Sequence, residues 1–185
     1  EIKKLVEENS VPIRHGDVIV ISSKYVSNSQ GRMLDYDSIK PSQKANELSK
    51  KFSISDKLSE VIIRESDIIF GGVSGFVITS SDNIMAPNAG IDKSNSQGKL
   101  ILYPYDPYLV AEQIKRKFFL DYGFHLGIII VDSRLMPARV GTIGVAIACS
   151  GIEPVLDRRA TTDLDGNGLK EEDPDTADNQ RPIAN

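Results

Sequence analysis

A single cysteine, two histidines and no long apolar run set the first limits on this 185-residue chain. Cys149 alone cannot close an intrachain disulfide, so a reducing, cytosolic setting is expected. It lies in the small-residue stretch Ala146–Gly151, where a buried inert thiol is expected rather than a nucleophile. His15 and His125 are too few for a histidine-rich metal centre, and each is read as structural or solvated. No apolar stretch reaches the roughly 18–20 residues that span a bilayer. Glu1-Ile2-Lys3-Lys4 lacks the apolar segment of a signal peptide. Basic charge is not in surplus: 22 Lys and Arg against 26 Asp and Glu leave a net charge of −4, without the footprint of a nucleic-acid binder. Neither a G-x-x-x-x-G-K-[ST] phosphate loop nor a G-x-G-x-x-G after a strand is present.

The remaining composition, 40% hydrophobic and 26% charged, is that of a globular domain able to bury a core without disulfides. One domain over residues 1–170 is expected, followed by a polar segment at 171–185. Asp17–Ser22 reads as a buried strand, followed by a polar turn, Ser27–Arg32. A helix from Pro41 would place Ala45, Leu48 and Phe52 on one face, and Ser55 would cap a second helix carrying Leu58, Val61 and Ile62. Short strands are expected at Asp67–Phe70 and Gly75–Thr79, with Gly71–Gly75 as a turn. A third helix starts near Pro107, presents Val110, Ile114 and Phe118, and ends at Tyr122-Gly123. Leu126–Val131 is the strongest strand, and Thr142–Ser150 another. From about Asp157 the composition turns polar, with almost no apolar periodicity. The irregular alternation predicts an α+β fold with mixed or antiparallel sheets and packed helices.

The residues richest in chemical possibility are two acidic turns. Asn88–Asn95 concentrates Asn, Gly, Asp and Ser after an apolar stretch, and Asp132 ends a strand with the hydroxyl of Ser133 behind it. Carboxylate and hydroxyl oxygens are the hard ligands that Mg²⁺ or Mn²⁺ prefers, commonly shared with substrate phosphates; the alternative is that both aspartates simply cap turns. Asp163–Gly168 matches the first half of an EF-hand loop. Lys170 stands where an apolar residue is needed and Pro174 where the bidentate Glu is needed, so calcium binding is not expected there. Ser27–Arg32 is echoed by Ser94–Lys99, either by chance between polar turns or as paired loops facing one ligand.

Several stretches in order over residues 10–170 resemble the coenzyme F420-0:L-glutamate ligase (gamma-glutamyl ligase) family. They are His15-Gly16-Asp17-Val18, Ser27 with Gly31-Arg32, Arg64-Glu65-Ser66, the motif N-A-G-I-D-x-S-N at Asn88–Asn95, and Tyr103-Pro104-x-Asp106-Pro107. Asp132-Ser133-Arg134, Arg139-x-Gly141, Gly144-x-Ala146 and Asp163-Leu164-x-Gly166 complete the set. The resemblance implies a gamma-glutamyl-ligase-like fold, a homodimer, and an acid–amino-acid ligase unrelated to ATP-grasp enzymes. That ligase would use GTP and Mg²⁺ or Mn²⁺ to join L-glutamate to F420-0 by gamma-linkage through an acyl phosphate. It also implies that Asp92, Asp132 and Ser133 are metal ligands, the two aspartates being catalytic, and that Ser23, Asn28 and Asn95 lie at the nucleotide. Arg139 is added as an anion contact on charge and position. Asn28 and Gln30 depart from the usual Lys and Glu, and the nucleotide loop expected before Glu1 and the segment expected after Lys170 are not recognisable. A ligase-like binding or regulatory domain without turnover is therefore the alternative, and a ligase for another carboxylate acceptor a third reading.

Overall fold

The computed structural model of the chain describes Lys4, Glu8 and residues 12–81, 84–93, 98–135 and 140–154. Its elements, in order, are β1 (Val18–Ser22), α1 (Ser23–Ser29), β2 (Met33–Asp35), α2 (Gln43–Phe52), α3 (Asp56–Glu65), β3 (Ile68–Val73), β4 (Phe76–Ser81), β5 (Ile84–Pro87), β6 (Lys99–Ile101), α4 (Pro107–Tyr122), β7 (Gly127–Leu135) and β8 (Thr142–Ser150). The architecture is α+β, as expected. The strands form sheets of order β1-β7-β8, β2-β6 and β3-β4-β5.

The chain divides into two compact units. Unit 1 takes Glu1–Val20, Tyr108–Val131 and Gly144–Asn185. Its interior is built from Ala111 and Phe118 of α4 and from Leu126, Ile128, Ile129, Ile130, Ile147 and Ala148. Of the expected face of α4, Phe118 is buried and Val110 and Ile114 are half-buried, with Ala111 buried beside them, and Gly123, at φ 71°, ends the helix by donating from its amide to the Phe119 carbonyl. Cys149 is half-buried, and burial pushes its thiol up, the direction of an inert group. The reading of β1 as fully buried is corrected. Val18 and Val20 are exposed while Ile21 is buried, because β1 is an edge strand and follows two-residue alternation.

Unit 2 takes Ile21–Pro107 and Asp132–Ile143. Ser42 and Ser55 cap α2 and α3, their hydroxyls accepting from the amides of Ala45 and Leu58. The apolar face of α3 places Leu58, Val61 and Ile62 with Ile39, Leu100 and Leu102 in one core, against which Leu48 and Ile91 pack. Each fully buried aliphatic side chain there contributes about 1.5–3 kcal/mol. Glu60, also buried, accepts from the Ser42 amide and the Arg64 guanidinium. The Ser42 hydroxyl and amide, then Arg64, hold its carboxyl below the ordinary value of 4.5. β4 pairs antiparallel with both β3 and β5. One face of this sheet buries Val77, Thr79 and Ala86, while Ile68, Ile78 and Met85 are exposed.

Two expectations about turns fail here. Ser27–Ser29 belong to helix α1 rather than to a polar turn, which begins only at Gln30. Gly71–Val73 continue β3, leaving Ser74-Gly75 as the turn.

Candidate active site

Unit 2 contains a cavity of about 420 Å³, lined on its polar side by Ser22, Ser23, Lys24, Asp92, Asp132 and Ser133. Phe76, Ile91, Leu102, Tyr103 and Pro104 supply apolar wall. That size and mixture suit a small-molecule site.

Neither aspartate sits in the turn expected of it. Asp132 and Ser133 lie within β7, which runs on to Leu135. The polar residues stay on extended backbone because the carboxylate is held: the Ser23 hydroxyl donates to Oδ1 at 2.8 Å, and Arg134 Nε lies 3.5 Å from Oδ2. Asp92 forms a two-bond antiparallel bridge with Ile101, each amide donating to the other's carbonyl at 2.9 Å. Before it, Asn88, Ala89 and Gly90 all take positive φ (50°, 55° and 65°). Such conformations cost an L-residue roughly 1–2 kcal/mol, and contacts hold them here. Asn88 Oδ1 accepts from the Val77 amide at 2.9 Å, and Thr79 Oγ1 accepts from the Ala89 amide at 3.0 Å. Gly90 is required for space as well, since a Cβ there would stand 2.3 Å from the Tyr103 ring.

Lys24 Nζ lies 2.5 Å from Asp92 Oδ2. Both carboxylates therefore face a cation of the chain itself, Lys24 for Asp92 and Arg134 for Asp132. Arg134 Nη2 also donates to the Tyr103 hydroxyl at 3.1 Å, and Nη1 to the Met85 carbonyl. Ser27 Oγ, on a residue 1% exposed that lines the same cavity, has no hydrogen-bond partner among the described residues.

The structure thus brings Ser23, Asp92, Asp132 and Ser133 to one cavity. Asn28 is exposed on α1 and is not among the lining residues. Asn95, Arg139 and the Asp163–Gly168 segment lie outside the described residues. Lys24 and Arg134, as counter-charges of the two aspartates, were not identifiable from spacing. Lys24 directly follows Ser22, which ends β1, and Ser23, which opens α1, the one local signal available. A divalent ion fits this donor set: two carboxylates and a hydroxyl are what Mg²⁺ takes when phosphate and water complete its shell. Among the described residues no cluster of three or more His, Cys, Asp or Glu offers an all-protein site. No helix among them is long and apolar enough to cross a membrane.

The family model described as F420-0:Gamma-glutamyl ligase matches residues 1–185. The coenzyme F420:L-glutamate ligase of Methanopyrus kandleri is 35% identical over 172 residues, which are 92% of this chain and 68% of that protein. The protein of the same name from Methanocaldococcus jannaschii is 36% identical over 175 residues, 94% and 70% of the two chains. That from Archaeoglobus fulgidus is 30% identical over 161 residues, 86% and 65%. On these matches the chain belongs to the F420-0:gamma-glutamyl ligase family of enzymes.

Proposed function

We propose that this chain carries the site of a GTP- and divalent-metal-dependent ligase that joins L-glutamate by gamma-linkage to coenzyme F420-0. The observation supporting the reading most strongly is the meeting of Asp92, Asp132 and Ser133, from distant parts of the sequence, in one cavity with Lys24. The GTP γ-phosphoryl group passes to the acceptor carboxylate, giving an acyl phosphate and GDP. The glutamate amine then attacks the acyl carbon, phosphate leaves, and the nitrogen gives up its proton.

Asp92, Asp132 and Ser133 would hold Mg²⁺ or Mn²⁺, which when bound supplies charge neutralisation at the phosphate oxygens. The chain's own contribution is orientation. The Ser23 hydroxyl fixes one oxygen of Asp132, leaving the other toward Arg134. Lys24 offers a cation that can turn from Asp92 to a phosphate oxygen. Arg32, the other cation near the first turn, is engaged instead with Glu65 and Tyr103. Phe76, Ile91 and Tyr103 supply an apolar wall against which a bound substrate would pack.

A cytosolic homodimer is part of the same proposal. The uncovered face bearing Ile68, Ile78 and Met85 is an apolar surface that a second copy could cover. Incubation with GTP, Mn²⁺, L-glutamate and F420-0 should add the mass of one glutamate to the acceptor. GTP binding without product would favour a binding domain, and product only with another carboxylic acid would reassign the acceptor.

A further inference from the structure

The pairing of β2 with β6 ends at Met33 and Ile101, and one more ladder bond follows, from the Leu102 amide to the Arg32 carbonyl at 2.9 Å. Beyond that point a side chain takes over the work of a neighbouring strand. Gln30 Nε2 donates to the Tyr105 carbonyl at 2.8 Å, and Gln30 Oε1 accepts from the Tyr105 amide at 2.9 Å. One carboxamide makes both bonds that a paired peptide would make. Arg32 Nε donates to the Tyr103 carbonyl at 3.0 Å, its guanidinium stands 3.7 Å from the centre of the Tyr105 ring, and its far side pairs with Glu65.

The segment gripped in this way carries Leu102, Tyr103 and Pro104 into the cavity, although neither Gln30 nor Arg32 lines it. The Tyr103 ring rests on Gly90, two residues before Asp92, and its hydroxyl accepts from Arg134, whose Nε neighbours Asp132. A displacement of Tyr103 therefore reaches both aspartates.

We propose that Gln30 and Arg32 are positioning residues, a clasp that sets the Tyr103–Pro104 wall of the cavity and through it the arrangement of Asp92 and Asp132. In this form the clasp is particular to this chain, because it uses both the donor and the acceptor of the carboxamide where the family usually carries a glutamate. A glutamate of the same shape could accept from the Tyr105 amide but, ionised, would turn a charge toward the Tyr105 carbonyl and donate nothing. Gln30 and Tyr105 are exposed, so the clasp governs the wall more than the stability of the fold. Only the choice of ligands for the test rests on the ligase reading.

The test compares wild type, Gln30→Glu and Gln30→Ala, each containing 3-fluorotyrosine, with the Tyr103 resonance assigned through Tyr103→Phe. At pH 8 the Glu variant should shift or broaden the Tyr103 fluorine signal and weaken calorimetric binding of Mn²⁺-GTP or of F420-0 about 5–10-fold. Its melting temperature should stay within about 2 °C of wild type. Toward pH 4, where an exposed glutamate becomes largely protonated, its carboxyl can donate again, so the fluorine signal should move back toward wild type. The Ala variant should stay defective at both values. A Glu variant with wild-type signal and wild-type affinity throughout would overturn the clasp. A wild type that binds neither ligand, while the Tyr103 signal still follows position 30, would remove the ligase reading and leave the clasp in place.

Discussion

Asp132 is delivered by a regular strand: β7 carries it past five residues, Gly127–Val131, three of them buried isoleucines, with no positive φ beyond the glycines of neighbouring turns. Asp92 arrives after three successive residues of positive φ and is anchored by an isolated bridge. Two carboxylates with one proposed role thus depend on different kinds of support. The strand arm is held by propensity and sheet pairing, so it tolerates changes of side chain that keep the backbone extended. The other arm stores strain that Val77, Thr79 and Tyr103 contain, so its tolerance is narrow.

The sharpest way to break this comparison is to place the same β-branched side chain in each arm. Ala89→Val puts branching on a residue at φ 55° that is 2% exposed, and should cost about 3 kcal/mol or more. Ser133→Val, on exposed extended backbone, should change stability by no more than about 0.5 kcal/mol. Chemical denaturation checks both; equal costs would mean the two arms are not differently supported. Next in size, Asn88→Ala removes the acceptor of the Val77 amide and should cost about 1–3 kcal/mol.

A smaller effect is expected from the counter-charge of the strained arm. Lys24 and Asp92 are each about one-third exposed, at 33% and 37%, so their pair is heavily screened. Lys24→Met should tighten Mn²⁺ binding in the absence of nucleotide by only about two- to five-fold. It should also reduce the mutual enhancement between Mn²⁺ and GTP, which is reciprocal by linkage. Weaker Mn²⁺ binding in Lys24→Met would show that the lysine supports the site rather than competing for it.

The smallest effect lies away from both arms. Glu60 has a folded value below its unfolded one, so its contribution is present above about pH 4.5 and is lost as pH falls through the folded value. Glu60→Gln should flatten that part of the acid limb of stability and alter little at pH 7 beyond the loss of charge-assisted bonds. An unchanged acid limb would show that its Ser42 and Arg64 contacts do not favour the ionised form.

This difference between the arms also explains what the sequence made readable. The caps at Ser42 and Ser55, the faces of α2 and α3, the bounds of β8 and the start of α4 follow from local rules, because capping and periodicity act within a few residues. Ile128–Ile130 announce β7 for the same reason. Its continuation through Asp132 is not local, since it depends on Ser23 and Arg134 holding a polar side chain on extended backbone. The positive φ values at Asn88 and Ala89 are equally hidden, because the bonds that contain them come from β4. The family motif marks both aspartates and Arg134 but gives no physical reason for their meeting; that Lys24 and Arg134 stand as counter-charges to the two aspartates emerges only once the chain has folded.

The measurement closest to the central claim is a Mn²⁺ titration by electron paramagnetic resonance, with and without GTP, of wild type, Asp92→Asn and Asp132→Asn. If the two aspartates hold one ion between them, each variant should lose at least about tenfold in affinity while circular dichroism stays that of wild type. The double variant should then be little worse than either single one, as expected for ligands of a shared site. Wild-type Mn²⁺ affinity in either single variant, or losses that simply add, would contradict a shared site.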